Sequence, residues 1–326
     1  MTALLALSVL LASCKERQKG AETNSSGGAP LRKVRVLMQP HVSYAPLMIA
    51  FDEGFFRDEG LDVEPVTSIQ NDETLVALVS GDLDVRPGPL SSGFLAAVAQ
   101  GAKIRVVAGM GYLARDGCTY YGLLLRKGLD STQTSRVKKV RASLEGTSRY
   151  VVHEMLAQRG IELGDIETVK LPDAVVANSL ETGAVDAAAI SEPGFSRVAR
   201  TGTRWLSGQQ AVPDFQWGVL AFSDRLLTRE HDTGERFLRA FRRAVAQYNQ
   251  GKTARNVEII ARGTEETPEL VREACWPSMQ ADARINWPSI ARFQQWAGTV
   301  GLMEHVVTEA QVWDSSFVVA TDRPAR

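Results

Sequence analysis

Cysteine is scarce in this sequence of 326 residues, which contains three: Cys14, Cys118 and Cys275. Their spacing matches none of the short Cys and His patterns that hold zinc, so the cysteines do not predict a metal site. Two interpretations stay open for Cys118 and Cys275, a disulfide bond or buried free thiols. We favour buried free thiols, because two isolated cysteines do not by themselves indicate a disulfide framework.

An excess of charge of one sign is also missing. The chain has 37 Lys and Arg residues against 38 Asp and Glu residues, which gives a formal net charge of -1. A protein this close to neutrality has no overall field that attracts polyanions. We therefore expect no nucleic-acid partner.

The motifs of several common catalytic sites are absent from the sequence. It contains no G-x-S-x-G, no H-E-x-x-H and no Walker glycine loop. The four histidines, His41, His153, His231 and His305, are too scattered to suggest a metal site. We expect a protein that is not an enzyme and that needs no metal or cofactor.

Apolar stretches long enough to span a membrane, roughly 20 residues, are lacking as well. The segment Ala3–Ala12 instead has the length of the core of an export signal, although no Lys or Arg precedes it. The tetrad that ends at Cys14 resembles the bacterial lipobox, whose cysteine is lipidated after cleavage. We therefore predict a lipoprotein signal peptide at residues 1–13; a buried N-terminal helix or strand is the alternative.

A polar segment rich in Gly and Ser follows the predicted lipidation site. Residues 14–30 cannot bury an apolar face, so they are predicted to form a flexible tether. Beyond the tether, strand patterns alternate with helix patterns. This alternation predicts an α/β fold with a mostly parallel sheet covered by helices on both faces.

One joint between a helix and a strand occurs twice. It reads LVSGDLDV at residues 78–85 and LETGAVDA at residues 180–187. Gly81 and Gly183 are predicted to take a positive φ at the helix end. Asp84 and Asp186 are predicted to form local hydrogen bonds in the turn. The repetition predicts two similar α/β lobes.

Five stretches of the sequence together resemble the solute-binding proteins of ABC importers. They are YAPLMIAFDEGFFRDEGLDVE, ALVSGDLDV, GFLAAVAQGAKIRVVA, GLLLRKG and SLETGAVDAAAISEP. The nearest subfamily binds nitrate, alkanesulfonates, taurine or pyrimidine precursors of thiamine. The resemblance implies a two-lobed, type II periplasmic-binding-protein fold. It also implies a discontinuous first lobe, residues 31–120 plus 220–326, and a second lobe at residues 121–219.

Candidate ligand contacts follow from the position of loops in such a fold. In open parallel sheets, ligands bind beyond the carboxyl ends of the strands. That rule and the crossover implied by the resemblance select Gln39, His41, Ser43, Tyr44, Arg86, Pro89, Ser91, Ser92, Tyr112, Thr147, Ser148, Arg149, Asp173, Ser191, Glu192, Gln216 and Trp217.

Several of these residues point to an acidic ligand group. A charged side chain beside a buried strand, such as Arg86, needs either a wet cleft or an internal acid, and both remain open. Ser91, Thr147 and Ser148 stand at predicted helix starts. There they either cap the helix or help backbone N–H groups to bind an anion.

The aromatic candidates leave a similar choice. Tyr44, Tyr112 and Trp217 either form a wall for a flat or alkyl-bearing ligand or pack in the core. His41 either donates a hydrogen bond to the ligand or lies in an exposed loop.

The resemblance implies a lipid-anchored extracytoplasmic protein that captures a small molecule between its lobes and delivers it to an ABC permease and its ATPase. We expect a monomer, anchored to a bacterial membrane through Cys14. A solute sensor for a membrane signalling partner is the alternative. A thiamine-pyrimidine synthase is disfavoured, because the candidate loops offer no lysine to a pyridoxal cofactor.

Overall fold

The structure, a computed structural model, describes residues 30–69, 73–143 and 146–321. The predicted signal peptide, Cys14 and all of the tether except Pro30 lie outside the described residues. Among the helices described, none combines the length and apolar character that a membrane crossing requires.

Twelve strands are found in the described residues. They are β1 (Arg32–Leu37), β2 (Leu61–Val66), β3 (Val85–Pro89), β4 (Arg105–Gly109), β5 (Tyr112–Leu113), β6 (Tyr121–Leu125), β7 (Lys139–Arg141), β8 (Glu167–Val169), β9 (Ala187–Ser191), β10 (Thr203–Ser207), β11 (Phe215–Gln216) and β12 (Gly218–Phe222).

Helices are interspersed with these strands up to β12, and only helices follow β12 within the described residues. They are α1 (Ala45–Asp52), α2 (Phe55–Asp58), α3 (Thr74–Ser80), α4 (Ser92–Ala99), α5 (Gly146–Ala157), α6 (Asp173–Glu181), α7 (Gly194–Val198), α8 (Gly208–Ala211), α9 (His231–Tyr248), α10 (Ala254–Thr264), α11 (Pro268–Glu273), α12 (Trp287–Thr299), α13 (Glu309–Val312) and α14 (Ser316–Thr321).

Two five-stranded sheets have the same arrangement. The first has the order β2-β1-β3-β12-β4 and the second has the order β8-β7-β9-β6-β10. In each sheet, four strands point the same way and one is reversed, because β12 is antiparallel to β3 and β4 and β6 is antiparallel to β9 and β10. The short strands β5 and β11 pair with each other on the two connections between the halves. The predicted mostly parallel α/β architecture is confirmed.

The first helical region differs from the prediction in one respect. The sequence pattern continues from Tyr44 to Gly60 as one helix, but the structure divides it at Gly54, which has a φ of 74°. A backbone in the left-handed region cannot continue a right-handed helix, so α1 ends there and α2 begins.

The duplicated joint has the predicted backbone, since Gly81 has a φ of 83° and Gly183 a φ of 72°. The predicted local role of the two aspartates is wrong. Asp84 Oδ2 accepts a hydrogen bond from the backbone N–H of Arg35 in β1 at 2.8 Å. Asp186 Oδ2 accepts equivalent bonds from Lys138 at 2.9 Å and Lys139 at 3.1 Å. Each carboxylate therefore fastens the joint to the neighbouring parallel strand, Asp84 within β1 and Asp186 at the start of β7.

Each of the two aspartates also forms an ion pair with an arginine. Asp84 also forms an ion pair with Arg225, which follows the reversed strand β12, at 3.0 Å. Asp186 pairs with Arg126, which follows the reversed strand β6, at 3.1 Å. Both joints thus connect three adjacent strands of their sheet, and the two halves use the same residue types to do so.

The prediction of free thiols is wrong, because Cys118 and Cys275 form a disulfide bond. Their Cα atoms are 5.6 Å apart across a sequence separation of 157 residues. Cys118 is exposed, so the expectation that both cysteines are buried is wrong as well. The bond ties the connection before β6 to the segment between α11 and α12.

Candidate functional site

A cavity of 410 Å³ lies where the ends of both sheets meet, and we call it the cleft. It is lined by Gln39, His41, Ser43, Tyr44, Leu75, Arg86, Pro89, Leu90, Ser91, Gly93, Tyr120, Tyr121, Arg141, Ser143, Gly146, Thr147, Ser148, Asp173, Ile190, Ser191 and Trp217. Twelve of the seventeen candidate contacts belong to this set. The rule of strand carboxyl ends therefore locates the cavity.

Three candidates fail to reach the cleft because of where their backbone directs them. Tyr112 is held in β5, where its N–H donates to Ser278 O at 2.9 Å. Ser92 follows the cap residue Ser91 and turns away with the first residue of α4. Arg149 lies one position beyond Ser148 on α5, and each helical residue turns the side chain by about 100°.

Glu192 and Gln216 are also outside the cleft, and both have structural partners instead. Glu192 is buried, and its carboxylate accepts hydrogen bonds from Ser196 and from the N–H of Cys275 at 2.9 Å. Gln216 Nε2 donates to Gly218 O at 2.7 Å, and its Oε1 accepts from Asn286 N at 2.8 Å. These hydrogen bonds satisfy the buried polar groups of both side chains, so neither is free to turn toward a ligand.

Sequence reasoning missed several residues that line the cleft. The important ones are Tyr120, Tyr121 and Arg141. The tyrosines stand at the start of β6, and the register of β6 with β9 sets Tyr121 opposite Ser191. Arg141 ends β7 and carries the same signal as Arg86, a charge directly after a buried valine.

Arg86 brings a positive charge into the cleft, and the described part of the chain offers it no acidic partner. Its Nε donates to Thr74 Oγ1 at 3.0 Å and its Nη1 to Pro89 O at 3.4 Å. No carboxylate among the described residues forms an ion pair with it. Burial lowers the pKa of Arg86, with the nearby Tyr44 opposing that shift, so the group is poorly solvated.

The second arginine of the cleft is neutralised. Arg141 pairs with Asp173, and it donates to Leu171 O at 2.8 Å and to Ala189 O at 2.6 Å. The Asp173 carboxylate therefore holds the Arg141 guanidinium in place. Of the charged groups that are described as lining the cleft, Arg86 alone is uncompensated.

Aromatic rings form one wall of the cleft. Trp217 lies 4.7 Å from Tyr121 and 5.8 Å from Tyr120 between ring centroids. The Tyr44 hydroxyl donates to Pro87 O at 3.1 Å, which fixes that ring against the end of β3. Burial raises the pKa of Tyr120 to about 12, although the Ser43 and Ser191 hydroxyls oppose the shift, so the phenol stays protonated and can donate a hydrogen bond.

His41 belongs to the cleft and not to an exposed loop. Burial lowers the pKa of its imidazole, and the nearby carboxylate of Asp173 raises it by a smaller amount. The ring is consequently neutral at pH 7, and it offers one donor and one acceptor.

The two predicted helix starts meet at the cleft. Ser91 caps α4 by accepting a hydrogen bond from Phe94 N at 3.1 Å. A Cβ on Gly146 would lie 3.2 Å from Ser91 Cα, so the glycine permits the close approach of the two helix starts. Thr147 Oγ1, in the first turn of α5, is buried and has no hydrogen-bond partner within the described part of the chain. A buried hydroxyl at a helix start is suited to an anion.

A family model and a relative of known sequence match this chain. The family model described as NMT1/THI5 like matches residues 41–250. YtlA of Bacillus subtilis (strain 168), described as a binding protein, is 26% identical over 256 residues, which are 76% of this chain and 72% of YtlA.

Solved structures share the fold at low sequence identity. The periplasmic nitrate-binding protein NrtA from Synechocystis PCC 6803 has a TM-score of 0.71 at 15% identity, covering 89% of this chain and 88% of NrtA. The alkanesulfonate-binding protein SsuA from Xanthomonas axonopodis pv. citri, bound to MOPS, has a TM-score of 0.66 at 18% identity, covering 88% and 99%. The desulfurization enzyme DSZB has a TM-score of 0.67 at 14% identity, covering 89% and 98%. The fold is that of type II periplasmic binding proteins, and an enzyme shares it.

Proposed function

Because the chain belongs to the NMT1/THI5-like family, we propose that it is a solute-binding protein that captures a small monoanion in the cleft and delivers it to an ABC permease. The observation that supports an anionic ligand is the presence of Arg86, the one uncompensated charge among the described residues that line the cleft. The unpartnered hydroxyl of Thr147 at the start of α5 supports the same ligand class.

The aromatic wall supports a ligand with an apolar body. Trp217, Tyr120 and Tyr121 offer ring faces beside the basic group, and the phenol of Tyr120 adds a hydrogen-bond donor. SsuA and NrtA bind an alkanesulfonate and nitrate, both of which carry one negative charge. A sulfonate or carboxylate with a short apolar body satisfies the charge and the wall together.

The proposal is for a binder and not for an enzyme. The described residues that line the cleft include neither a cysteine, which could act as a thiolate nucleophile, nor a lysine, which could form a Schiff base. We further propose that the two sheets mark the two lobes, residues 31–120 plus 220–326 and residues 121–219, which close around the solute.

We also propose that the protein is exported and anchored by lipid at Cys14, working as a monomer. Fractionation of cells that express the native protein or Cys14→Ala tests the anchor, since the variant should leave the membrane fraction. For delivery, cells that lack the gene should lose uptake of the bound solute. Uptake that continues unchanged in those cells would contradict the transport role.

Arg86→Ala is expected to weaken anion binding by about 10- to 100-fold. A hydrogen bond to a charged group is worth about 1.5–3 kcal/mol, and each 1.4 kcal/mol is about a tenfold change in Kd. A thermal-shift screen against sulfonates, carboxylates, nitrate and pyrimidines would choose the ligand, and calorimetry would then measure Kd. Arg136→Ala, at an exposed site outside the cleft, is the control. Equal affinities in the two variants, or a screen without any anion hit, would refute the anion assignment.

Anion affinity is expected to rise as the pH falls from 7.5 to 5.5. Burial lowers the pKa of His41 in the free protein, whereas a bound anion in the same cleft favours the imidazolium and raises it. The complex then takes up a proton, so acid promotes binding. Calorimetry at both pH values measures the effect, and His41→Asn should remove it. The same pH dependence in His41→Asn would exclude His41 as its source.

A further inference from the structure

A second cavity, of 480 Å³, adjoins the cleft at the loop after β1, and we call it the side cavity. Gln39 and His41 line both cavities, so their loop forms the common wall. The other lining residues are Met38, Pro40, Met48, Thr67, Ile69, Gly263 and Glu265. A ligand that extends beyond the cleft at this wall meets the side cavity first.

Apolar and polar groups share the lining of the side cavity. Met38, Met48 and Ile69 supply most of its hydrophobic surface, and methionine adapts to irregular ligand shapes. Gly263 allows Met48 to lie against α10, because a Cβ there would be 2.5 Å from the Met48 sulfur. Met48 thus packs directly against Gly263, where a larger residue would not fit.

The two cavities differ in the charge of the residues that line them. The cleft contains the uncompensated Arg86, whereas the one charged residue among the described residues that line the side cavity is the exposed Glu265. A carboxylate at that rim disfavours a second anionic group on the ligand. His41, on the common wall, has a pKa lowered by burial, so the wall itself adds no charge at pH 7.

We propose that the side cavity receives the apolar end of the ligand whose acidic head lies near Arg86. The inference rests on the proposed function and narrows its substrate class to monoanions with an alkyl or similar extended tail. The shared wall makes the two cavities neighbours, and the opposite charges of Arg86 and Glu265 set the direction, with the head in the cleft and the tail beside Met48.

A chain-length series tests this assignment by calorimetry on the purified protein. Straight-chain alkanesulfonates of increasing length are the probes, and carboxylates of matched length distinguish the two head groups. Each methylene buried is worth about 0.8 kcal/mol, so affinity should rise by up to about fourfold per carbon once the tail passes the wall.

Thr67→Glu isolates the side cavity, because Thr67 is exposed and lines that cavity but not the cleft. The variant should bind the shortest probes with native affinity and lose the gain with chain length. Ser68→Glu is the matched control, since Ser68 is the exposed neighbour that lines neither cavity. It should retain the native series.

The outcomes separate the two proposals. If short anions bind but Thr67→Glu shows the same gain with length as the native protein, the side cavity is not a tail site. If no anion of any length binds, or if Arg86→Ala binds all of them normally, the proposed function itself fails. A native series without any gain in affinity also overturns the tail site.

Discussion

Reduction of the Cys118–Cys275 disulfide is expected to lower the free energy of unfolding by as much as about 5 kcal/mol. A crosslink restricts the unfolded chain more strongly when it closes a longer loop, and this one joins residues 157 positions apart. For a chain of this size, that loss corresponds to a melting temperature lower by roughly 10 °C.

Urea unfolding followed by circular dichroism, with and without reductant, measures the difference. The control is the double variant Cys118→Ser and Cys275→Ser, which keeps Cys14 and should unfold at the same urea concentration in both conditions. Native protein that is equally stable with and without reductant would show that the bond contributes nothing.

Asp84→Ala is expected to reduce the free energy of unfolding by about 3 kcal/mol. The Asp84 side chain is 0% exposed, and Oδ2 makes its hydrogen bonds to Arg35 N and to Arg225. Its removal leaves a buried N–H without an acceptor and two arginines without their shared carboxylate. Chemical unfolding of the purified variant gives the value.

The second joint provides the matched comparison. Asp186 makes the same kind of contacts to Lys138, Lys139 and Arg126, but its side chain is 16% exposed. Water can partly replace those contacts, so Asp186→Ala should cost about 1–2 kcal/mol. If both variants lost the same free energy of unfolding, burial of the carboxylate would not determine how much each joint stabilises the fold.

The strand-end rule found most of the cleft and failed where strands run backwards. Tyr121 begins the reversed strand β6 opposite Ser191, and Trp217 directly precedes the reversed strand β12, in which Gly218 lies opposite Pro89. A periodic apolar pattern carries no information on strand direction. Trp217 was a candidate because the family resemblance placed it on the crossover, and Tyr121 had no such support.

Other features differ in how far the sequence could have revealed them. Arg141 follows a buried valine as Arg86 does, so the reasoning applied to Arg86 would have found it. The disulfide and the bond from Cys275 N to Glu192 depend on segments far apart in sequence that meet only in the folded chain. Spacing alone cannot indicate such contacts.

The place of β12 in its sheet has a consequence for how the chain is made. β12 lies between β3 and β4, yet residues 218–222 follow every strand of the other sheet in the sequence. As the protein emerges from a ribosome or a translocation pore, the second sheet has all of its strands by Ser207. The first sheet lacks the strand between β3 and β4 until β12 is made, so the half that is begun first is completed last.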